Sequence, residues 1–229
     1  MPKIYLSPAA HEHDNPCSYD AACGENTHCN LYVDELEPYL LACGFAVKRN
    51  PKDRTGDRLK EAIAESNAWG ADLHYVAHTN AGGGAYSLLM VYDQGTAYGY
   101  AEKLAARRRE IYAGNVKISV QPQWDELRLT AAPALYDEMV FHDNAKDIAW
   151  FHEHLREMAQ ATAKAICDMF GAAFVDPYAK PAEPAPEPES GGDVWYRVQV
   201  GAFREKANAD RLCAELQGKG YAAFVKAGA

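Results

Sequence analysis

The chain has 229 residues, 48% of them hydrophobic, and a formal net charge of −9 at pH 7. This length allows one domain of ordinary size with a proper core, plus a smaller piece. Residues 1–192 hold 17 Lys and Arg against 28 Asp and Glu, which argues against a nucleic-acid-binding main domain, and no apolar run approaches the roughly 20 residues that span a bilayer.

Predicted strands alternate with predicted helices through the main part of the chain. The strands are predicted at Lys3–Leu6, Phe45–Lys48, Ala71–Ala77, Ala85–Tyr92 and Ala134–Phe141, and the helices at Glu25–Cys43, Asp57–Asn67, Gly99–Tyr112 and Ile148–Phe170. Such alternation is typical of βαβ units. The predicted fold class is therefore α/β, a mainly parallel twisted sheet with helices on both faces, in a main domain at residues 1–175.

Two local features of these helices are predicted. We expect an interruption of the first helix near Pro38, because proline removes a backbone donor from a helix interior. The run Arg107-Arg108-Arg109 is predicted to be a solvated face of its helix.

The segment Asp176–Gly192 differs in kind from the rest of the chain. It contains five prolines and no apolar periodicity, so we predict a semi-rigid linker. Beyond it, Trp195–Val200 and Tyr221–Val225 are predicted strands and Lys206–Gln217 a predicted helix. Residues 193–229 are therefore predicted to be a small βαβ piece.

The six cysteines include no Cys-x-x-Cys pair. In a reducing compartment we expect free thiols rather than a disulfide framework. The alternative is a thiolate-rich zinc site from Cys17, Cys23 and Cys29.

Metal-competent side chains come from three separate places. His11 lies in the loop after the first strand, Glu25 begins the first helix, and His78 follows the buried run Ala71–Ala77. Open α/β sheets keep their sites at the carboxyl ends of strands. Two imidazoles and a carboxylate are a ligand set that zinc accepts in hydrolases, with a fourth position left for water. We predict one Zn²⁺ ion bound by His11, Glu25 and His78.

Glu138 is the predicted general base. It lies beside Asp137 in an otherwise apolar strand, and buried acids are costly unless they serve a site or find partners. The alternative is that both acids end a strand at the surface.

Two stretches of the chain match the pattern of a known family. The matching residues are Arg58, Ser66-Asn67, Ala71-Asp72-Leu73 and Val76 to Ala81 in the middle, and Pro133-Ala134-Leu135, Glu138, Phe141 and Asn144 later. Over about residues 3–171 the chain thus resembles the zinc-dependent N-acetylmuramoyl-L-alanine amidases of the amidase-3 type. The resemblance implies peptidoglycan as substrate, with Asn80 helping to position it. His142 stands where the family usually has leucine and adds a polar group to the cleft; the alternative is a solvent-facing histidine.

The first family motif is altered in this chain. Ser7-Pro8-Ala9-Ala10-His11 replaces Asp-Pro-Gly-His-Gly-Gly, with one more residue and without the glycines. His13 is therefore a rival to His11, which we favour because it lies nearer the strand end. On the first helix, His28 is the rival to Glu25.

The C-terminal piece resembles the opening half of a SPOR domain, a peptidoglycan-binding module that favours glycan strands stripped of peptides. The matching residues are Trp195 to Phe203, Lys206 to Ala209 and Gly220 to Val225. A piece of this size is too small to hold a core alone. It therefore pairs with a second copy to form a homodimer, docks on the main domain, or remains partly disordered.

These features together predict a zinc amidase that hydrolyses the amide between N-acetylmuramic acid and the first L-alanine of the stem peptide. The alternatives are a related zinc peptidase acting on stem peptides and a catalytically inactive wall-binding protein. The segment Met1–Pro8 has no basic region followed by an apolar one, so no secretory signal is expected. We expect synthesis in the cytoplasm and action on the wall after release, as a phage lysin or as an autolysin of the mother cell.

Overall fold

The structure is a computed structural model of the chain, and it describes residues 1–19, 23–51, 58–179 and 198–226. The chain divides into two units, Met1–Lys180 and Pro181–Ala229. The strands are β1 (Lys3–Pro8), β2 (Ala46–Arg49), β3 (Leu73–Asn80), β4 (Tyr86–Val91), β5 (Asn115–Val120) and β6 (Ala134–Phe141). The helices are α1 (Glu25–Ala42), α2 (Leu59–Trp69), α3 (Thr96–Arg109), α4 (Asp125–Arg128), α5 (Ala145–Glu153), α6 (Leu155–Phe170) and α7 (Lys206–Gly218).

The six strands form one sheet in the order β2-β1-β3-β6-β4-β5. Pairing is parallel except between β4 and β6, which run antiparallel. The predicted α/β fold with a mainly parallel sheet is thereby confirmed. Because β1, β3 and β6 are parallel neighbours, their carboxyl ends meet at one edge of the sheet, where sites of open α/β sheets lie.

Alternation along β3 divides the core between the two faces of the sheet. Tyr75 and Ala77 belong to the larger buried cluster, which includes residues of α1, α3, α5 and α6. Val76 points to the other face and packs in a smaller cluster with Leu127 of α4 and Tyr136 of β6. Successive side chains of a strand point to opposite faces, so a nearly continuous apolar run serves two cores.

Several predicted bounds differ from those of the structure. β3 continues to Asn80, so His78 lies inside the strand rather than after it. The helix α1 passes through Pro38 without interruption, because burial of Leu36, Tyr39 and other apolar side chains outweighs one lost helical hydrogen bond. The single long helix predicted at Ile148–Phe170 is two helices, α5 and α6, that meet at His154.

Two elements of the sheet region were absent from the sequence prediction, and one surface assignment was wrong. The edge strand β5 and the short helix α4 lie in residues 113–133, to which no element was assigned.

Of the three consecutive arginines, Arg108 is fully buried rather than solvated. Its Nη2 donates to Asp137 Oδ2 at 2.7 Å, so a buried counterion stabilises the charge.

In the C-terminal unit, the predicted helix at Lys206–Gln217 is confirmed as α7. Tyr221–Val225, predicted as a strand, has no strand structure, and neither have residues 198–200 of the other predicted strand. A strand needs a partner to pair with, and these residues find none within the described part of this unit. Residues 195–197 of that strand and 180–192 of the predicted linker lie outside the described residues. Among the helices of the described ranges, none combines the length and the apolar character needed to cross a bilayer.

Candidate metal centre and active site

His11, Glu25 and His78 converge at the carboxyl edge of β1 and β3. Where β1 ends, Ala9 N donates to Ala77 O, which brings the following loop and His11 to the end of β3. Glu25, the first residue of α1, lies between the two imidazoles: His11 Nε2 is 3.1 Å from its Oε2, and His78 Nδ1 is 3.0 Å from its Oε1. The three ligand atoms all lie within 4.8 Å of one another.

The carboxylate of Glu25 is buried and held in its ionised form. Asn15 Nδ2 donates to its Oε2 at 2.7 Å, and the backbone N–H of Thr79 donates to its Oε1 at 3.0 Å. Burial alone would raise the pKa of Glu25, but the neighbouring His11 and His78 lower it below its usual range. Conversely, Glu25 raises the pKa of His78 despite the burial of that ring.

The donor atoms fit a divalent cation. Although His11 Nε2 is close to Glu25, it makes no hydrogen bond with any residue that the structure describes. A buried ring nitrogen without a partner is costly unless a ligand takes its lone pair. Two imidazole nitrogens and one carboxylate oxygen are also the donor set of hydrolytic zinc sites.

Glu138 lies next to this group, on the neighbouring strand β6. It is the register partner of His78, and its side chain is buried. Its Oε2 makes no hydrogen bond within the described residues, and burial raises its pKa to about 7. A carboxyl group with that pKa can accept and release a proton near neutral pH.

Neither rival ligand, His13 or His28, belongs to the three-residue group of His11, Glu25 and His78. His13 is exposed, whereas His11 is the histidine close to Glu25. His28 is one turn further along α1 and fully buried, in a different cluster with Cys23.

The two predicted substrate contacts have different surroundings. Asn80 is half-buried at the end of β3, and its Oδ1 accepts a hydrogen bond from Ala81 N at 2.8 Å. His142 is 5% exposed rather than solvent-facing, with its Nδ1 3.0 Å from Thr79 Oγ1. The substrate-contact roles of both residues stay predictions.

A cleft of about 150 Å³ lies beside His11 and His78. Trp124 and Tyr136 form part of its wall, with ring centroids 5.1 Å apart in an edge-to-face arrangement. Neither aromatic residue was predicted to belong to the site. The strand periodicity could have found Tyr136, which lies two residues before Glu138 and so on the same face; Trp124 carries no such signal.

Comparison with known proteins shows sequence similarity to two curated amidases. The chain is 30% identical over 184 residues to "N-acetylmuramoyl-L-alanine amidase CwlM" of Bacillus licheniformis, a match that covers 75% of this chain and 64% of the relative. It is 28% identical over 181 residues to the "Sporulation-specific N-acetylmuramoyl-L-alanine amidase" of Bacillus subtilis, with the same coverage. The chain thus spans slightly less than two thirds of the length of these relatives. Separately, residues 160–227 match the model of the SPOR domain, from within α6 onwards.

Solved structures show the same fold. The catalytic domain of CwlV, an N-acetylmuramoyl-L-alanine amidase from Bacillus (Paenibacillus) polymyxa, superimposes with a TM-score of 0.67 at 16% identity, over 76% of this chain and 100% of that domain. The amidase AmiC2 of Nostoc punctiforme gives a TM-score of 0.65 at 14% identity, over 74% of this chain and 97% of that chain. The resemblance predicted from the motifs is thereby confirmed: the chain is similar in sequence to curated N-acetylmuramoyl-L-alanine amidases and has the fold of solved amidase domains.

Proposed function

We propose that this chain is a zinc-dependent N-acetylmuramoyl-L-alanine amidase, which hydrolyses the amide between N-acetylmuramic acid and the first L-alanine of the peptidoglycan stem peptide. The observation that carries the proposal is the convergence of His11, Glu25 and His78 beside Glu138. The sequence relatives named as amidases supply the substrate class.

His11, Glu25 and His78 are the residues that would hold the zinc ion. When bound, zinc supplies Lewis-acid polarisation of the scissile carbonyl and lowers the pKa of water at the open position. Asn15 and the Thr79 N–H orient Glu25 by donating to its two oxygens. Such outer hydrogen bonds fix a ligand's direction before the metal arrives.

Glu138 would move the proton. As water attacks the lactyl carbonyl, the Glu138 carboxylate accepts a proton from it, and the carboxylic acid then returns that proton to the leaving alanine nitrogen as the C–N bond breaks. Its pKa of about 7, which results from burial, suits both halves of this exchange.

The cleft beside the three-residue group would receive the substrate. Trp124 and Tyr136 offer apolar ring surface next to His78, and Tyr136 lies with its ring centroid 4.7 Å from that of His78. Aromatic surface of this kind suits the less polar faces of a sugar or the side chains of a short peptide. Asn80 and His142 at the end of the same edge are the proposed polar contacts.

The C-terminal piece would bring the enzyme to the wall. Its similarity to the SPOR domain suggests peptidoglycan binding, and residues 193–229 carry 6 Lys and Arg against 4 Asp and Glu, in contrast to the acidic remainder. A basic segment can approach an anionic wall that an acidic domain is repelled by. We also propose that this piece pairs with a second copy to form a homodimer, and that the protein acts on the wall after its release from the cytoplasm.

A soluble muropeptide tests the proposed reaction and its two alternatives. Purified protein with one equivalent of zinc is incubated with a disaccharide that carries its stem peptide, and the products are identified by mass spectrometry. We expect the peptide-free disaccharide and an intact stem peptide with a free N-terminal alanine. Cuts within the peptide would indicate a peptidase. No cleavage with or without zinc would support the alternative of a catalytically inactive wall-binding protein.

A further inference from the structure

A second group of metal-competent side chains lies apart from the three-residue group. Cys17 and Cys23 belong to the loop between β1 and α1, and His28 lies on α1. Their ligand atoms all lie within 4.8 Å of one another, and the group shares no residue with the site at Glu25. Cys29, the third cysteine of the zinc alternative considered from the sequence, belongs to the hydrophobic core instead.

His28 and His152 both approach the sulfur of Cys23. His28 Nδ1 lies 2.9 Å from Cys23 Sγ, and His152 Nε2, from α5, lies 3.6 Å from the same atom. In a tetrahedral zinc site, with Zn–S of about 2.3 Å and Zn–N of about 2.0 Å, sulfur and nitrogen ligands lie about 3.5 Å apart. The separation between Cys23 and His28, 2.9 Å, is shorter than that value, and the separation between Cys23 and His152, 3.6 Å, is close to it.

The imidazole of His28 is fixed beside Cys23. Its side chain is fully buried on α1, and its Nδ1 is the ring nitrogen that faces the sulfur. The ring of Tyr19 stacks on His152 with centroids 4.2 Å apart, which limits how that imidazole can turn. Two oriented imidazoles beside two thiols are an arrangement that a soft, nitrogen- and sulfur-binding cation satisfies.

We propose that Cys17, Cys23, His28 and His152 form a second metal site, of the Cys₂His₂ type that binds zinc. Two thiolates balance the charge of one divalent cation, so the occupied site is neutral and suits its partly buried position. With four protein ligands the site has no open position and is structural rather than catalytic.

The site has a structural consequence for the loop that precedes α1. This loop also carries His11 and Asn15, which contact Glu25, and it is anchored where Ser18 N donates to His142 O at 2.8 Å. A metal held by Cys17 and Cys23 would tie the loop to α1 through His28 and to α5 through His152. The second ion would thus hold the loop that presents His11 to the first site.

Cobalt substitution distinguishes the two sites by their ligands. The full-length chain is stripped of metal, kept reduced, and titrated with Co²⁺ while absorbance is recorded. We expect two equivalents to bind and a thiolate-to-cobalt charge-transfer band in the near ultraviolet. The group at Glu25 contains no sulfur and cannot produce that band.

Matched variants assign the band to named residues. The Cys17→Ser/Cys23→Ser variant should lose the band and one equivalent of metal, whereas a Cys43→Ser/Cys213→Ser control should keep both. The His11→Ala/His78→Ala variant should keep the band while losing the other equivalent. His152→Gln should weaken binding of the band-forming ion at least tenfold, because it removes a direct ligand.

The readouts are metal content and absorbance, so they do not depend on whether the chain is an amidase. A reduced, folded wild type that binds one equivalent without the band would overturn the second site, as would a band that survives loss of both cysteines. Unchanged affinity in His152→Gln would overturn the four-ligand set. If the double cysteine variant does not fold, Cys17→Ser alone should reduce the band by about half, since one of two thiolates remains.

Discussion

His78 of β3 and Glu138 of β6 are register partners on neighbouring parallel strands. Val76 and Tyr136, two residues earlier on the same strands, are also partners, so His78 and Glu138 project from the same face of the sheet. The adjacent acid Asp137 points to the opposite face, where it binds Arg108. Because the two carboxylates point to opposite faces of the sheet, Asp137 pairs with Arg108 while Glu138 lies beside His78. The rigid sheet thus holds the proposed base beside the proposed ligand.

Replacing Glu138 tests its role as the base. Glu138→Gln keeps size and hydrogen-bonding reach but removes the proton acceptor, so we expect zinc to remain bound while turnover of a soluble muropeptide falls by about 10²–10⁴. Zinc is measured by elemental analysis and turnover by product release. The control is Glu157→Gln, an exposed glutamate of α6. Turnover equal to that of the control would remove Glu138 from the mechanism.

Single alanine variants test the proposed zinc ligands. His78→Ala and His11→Ala should each lose the ion of this site and activity, because two remaining protein ligands rarely hold zinc against dilution. His13→Ala, two residues from His11 but exposed, should keep both. If His13→Ala loses the ion and His11→Ala retains it, the ligand assignment at the altered first motif is reversed.

Removing one partner of the buried ion pair Arg108–Asp137 should destabilise the domain strongly. Both side chains are fully buried, and Tyr75 Oη donates a further hydrogen bond to Asp137 at 2.6 Å. Arg108→Met leaves Asp137 as an uncompensated buried charge, so the free energy of unfolding should fall by about 3–5 kcal/mol. Urea denaturation followed by circular dichroism measures the change.

The neighbouring residue Arg107 provides the matched control for Arg108→Met. Arg107 pairs with Asp168 at 2.8 Å, but on the surface. The Arg107→Met change should therefore cost only about 0–1 kcal/mol. The second comparison is Arg108→Met/Asp137→Leu, which removes both charges and should recover much of the loss. Equal costs for Arg107→Met and Arg108→Met would contradict the importance assigned to burial.

The sequence predicted the part of the site that depends on strand ends. The apolar runs that become β1, β3 and β6 are strong strand signals, and polar side chains at their carboxyl ends were expected to meet once the sheet was parallel. The structure brings together His11 and His78, which that reasoning covers, and Glu25, which begins the helix α1 and was predicted from the ligand set instead. Their roles as ligands remain proposals.

Features that depend on tertiary contacts could not be predicted in the same way. Three consecutive arginines give a strong signal for a solvated face, and only the position of Asp137 on β6 reveals why Arg108 is buried. The helix α4 has four residues, too few for a helical period, although it follows directly on Trp124 of the cleft. The edge strand β5 is half polar and lies partly exposed, which weakens its apolar signal.

The C-terminal unit should be needed for binding to the insoluble wall but not for hydrolysis of small soluble substrates. The structure places the best cut after Ala179 rather than at the predicted boundary, since Tyr178 packs against Tyr39 with ring centroids 5.4 Å apart and Asp176 accepts from Gln160. The fragment 1–179 should keep its activity on soluble muropeptide and lose affinity for sacculi, because the tail raises the local concentration of enzyme near glycan. Co-sedimentation with sacculi measures binding.

The same two forms test the proposed pairing of the C-terminal piece. If that piece forms a homodimer, analytical ultracentrifugation should show a dimer for the full chain and a monomer for 1–179. Equal melting temperatures of the two forms would establish that the fragment is intact. Equal wall binding by both forms would show that the tail contributes nothing to recognition.

Digestion of intact peptidoglycan in water enriched in heavy oxygen tests the central claim most directly, because the label marks the carbonyl that water attacks. The proposed amidase places heavy oxygen in the lactyl carboxylate of N-acetylmuramic acid and releases an unlabelled stem peptide with a free N-terminal alanine. The label should appear in wild-type digests and be strongly reduced with Glu138→Gln. Heavy oxygen in a carboxylate of the peptide, or at the reducing carbon of a released sugar, would mean that another bond is cleaved and would contradict the proposed function.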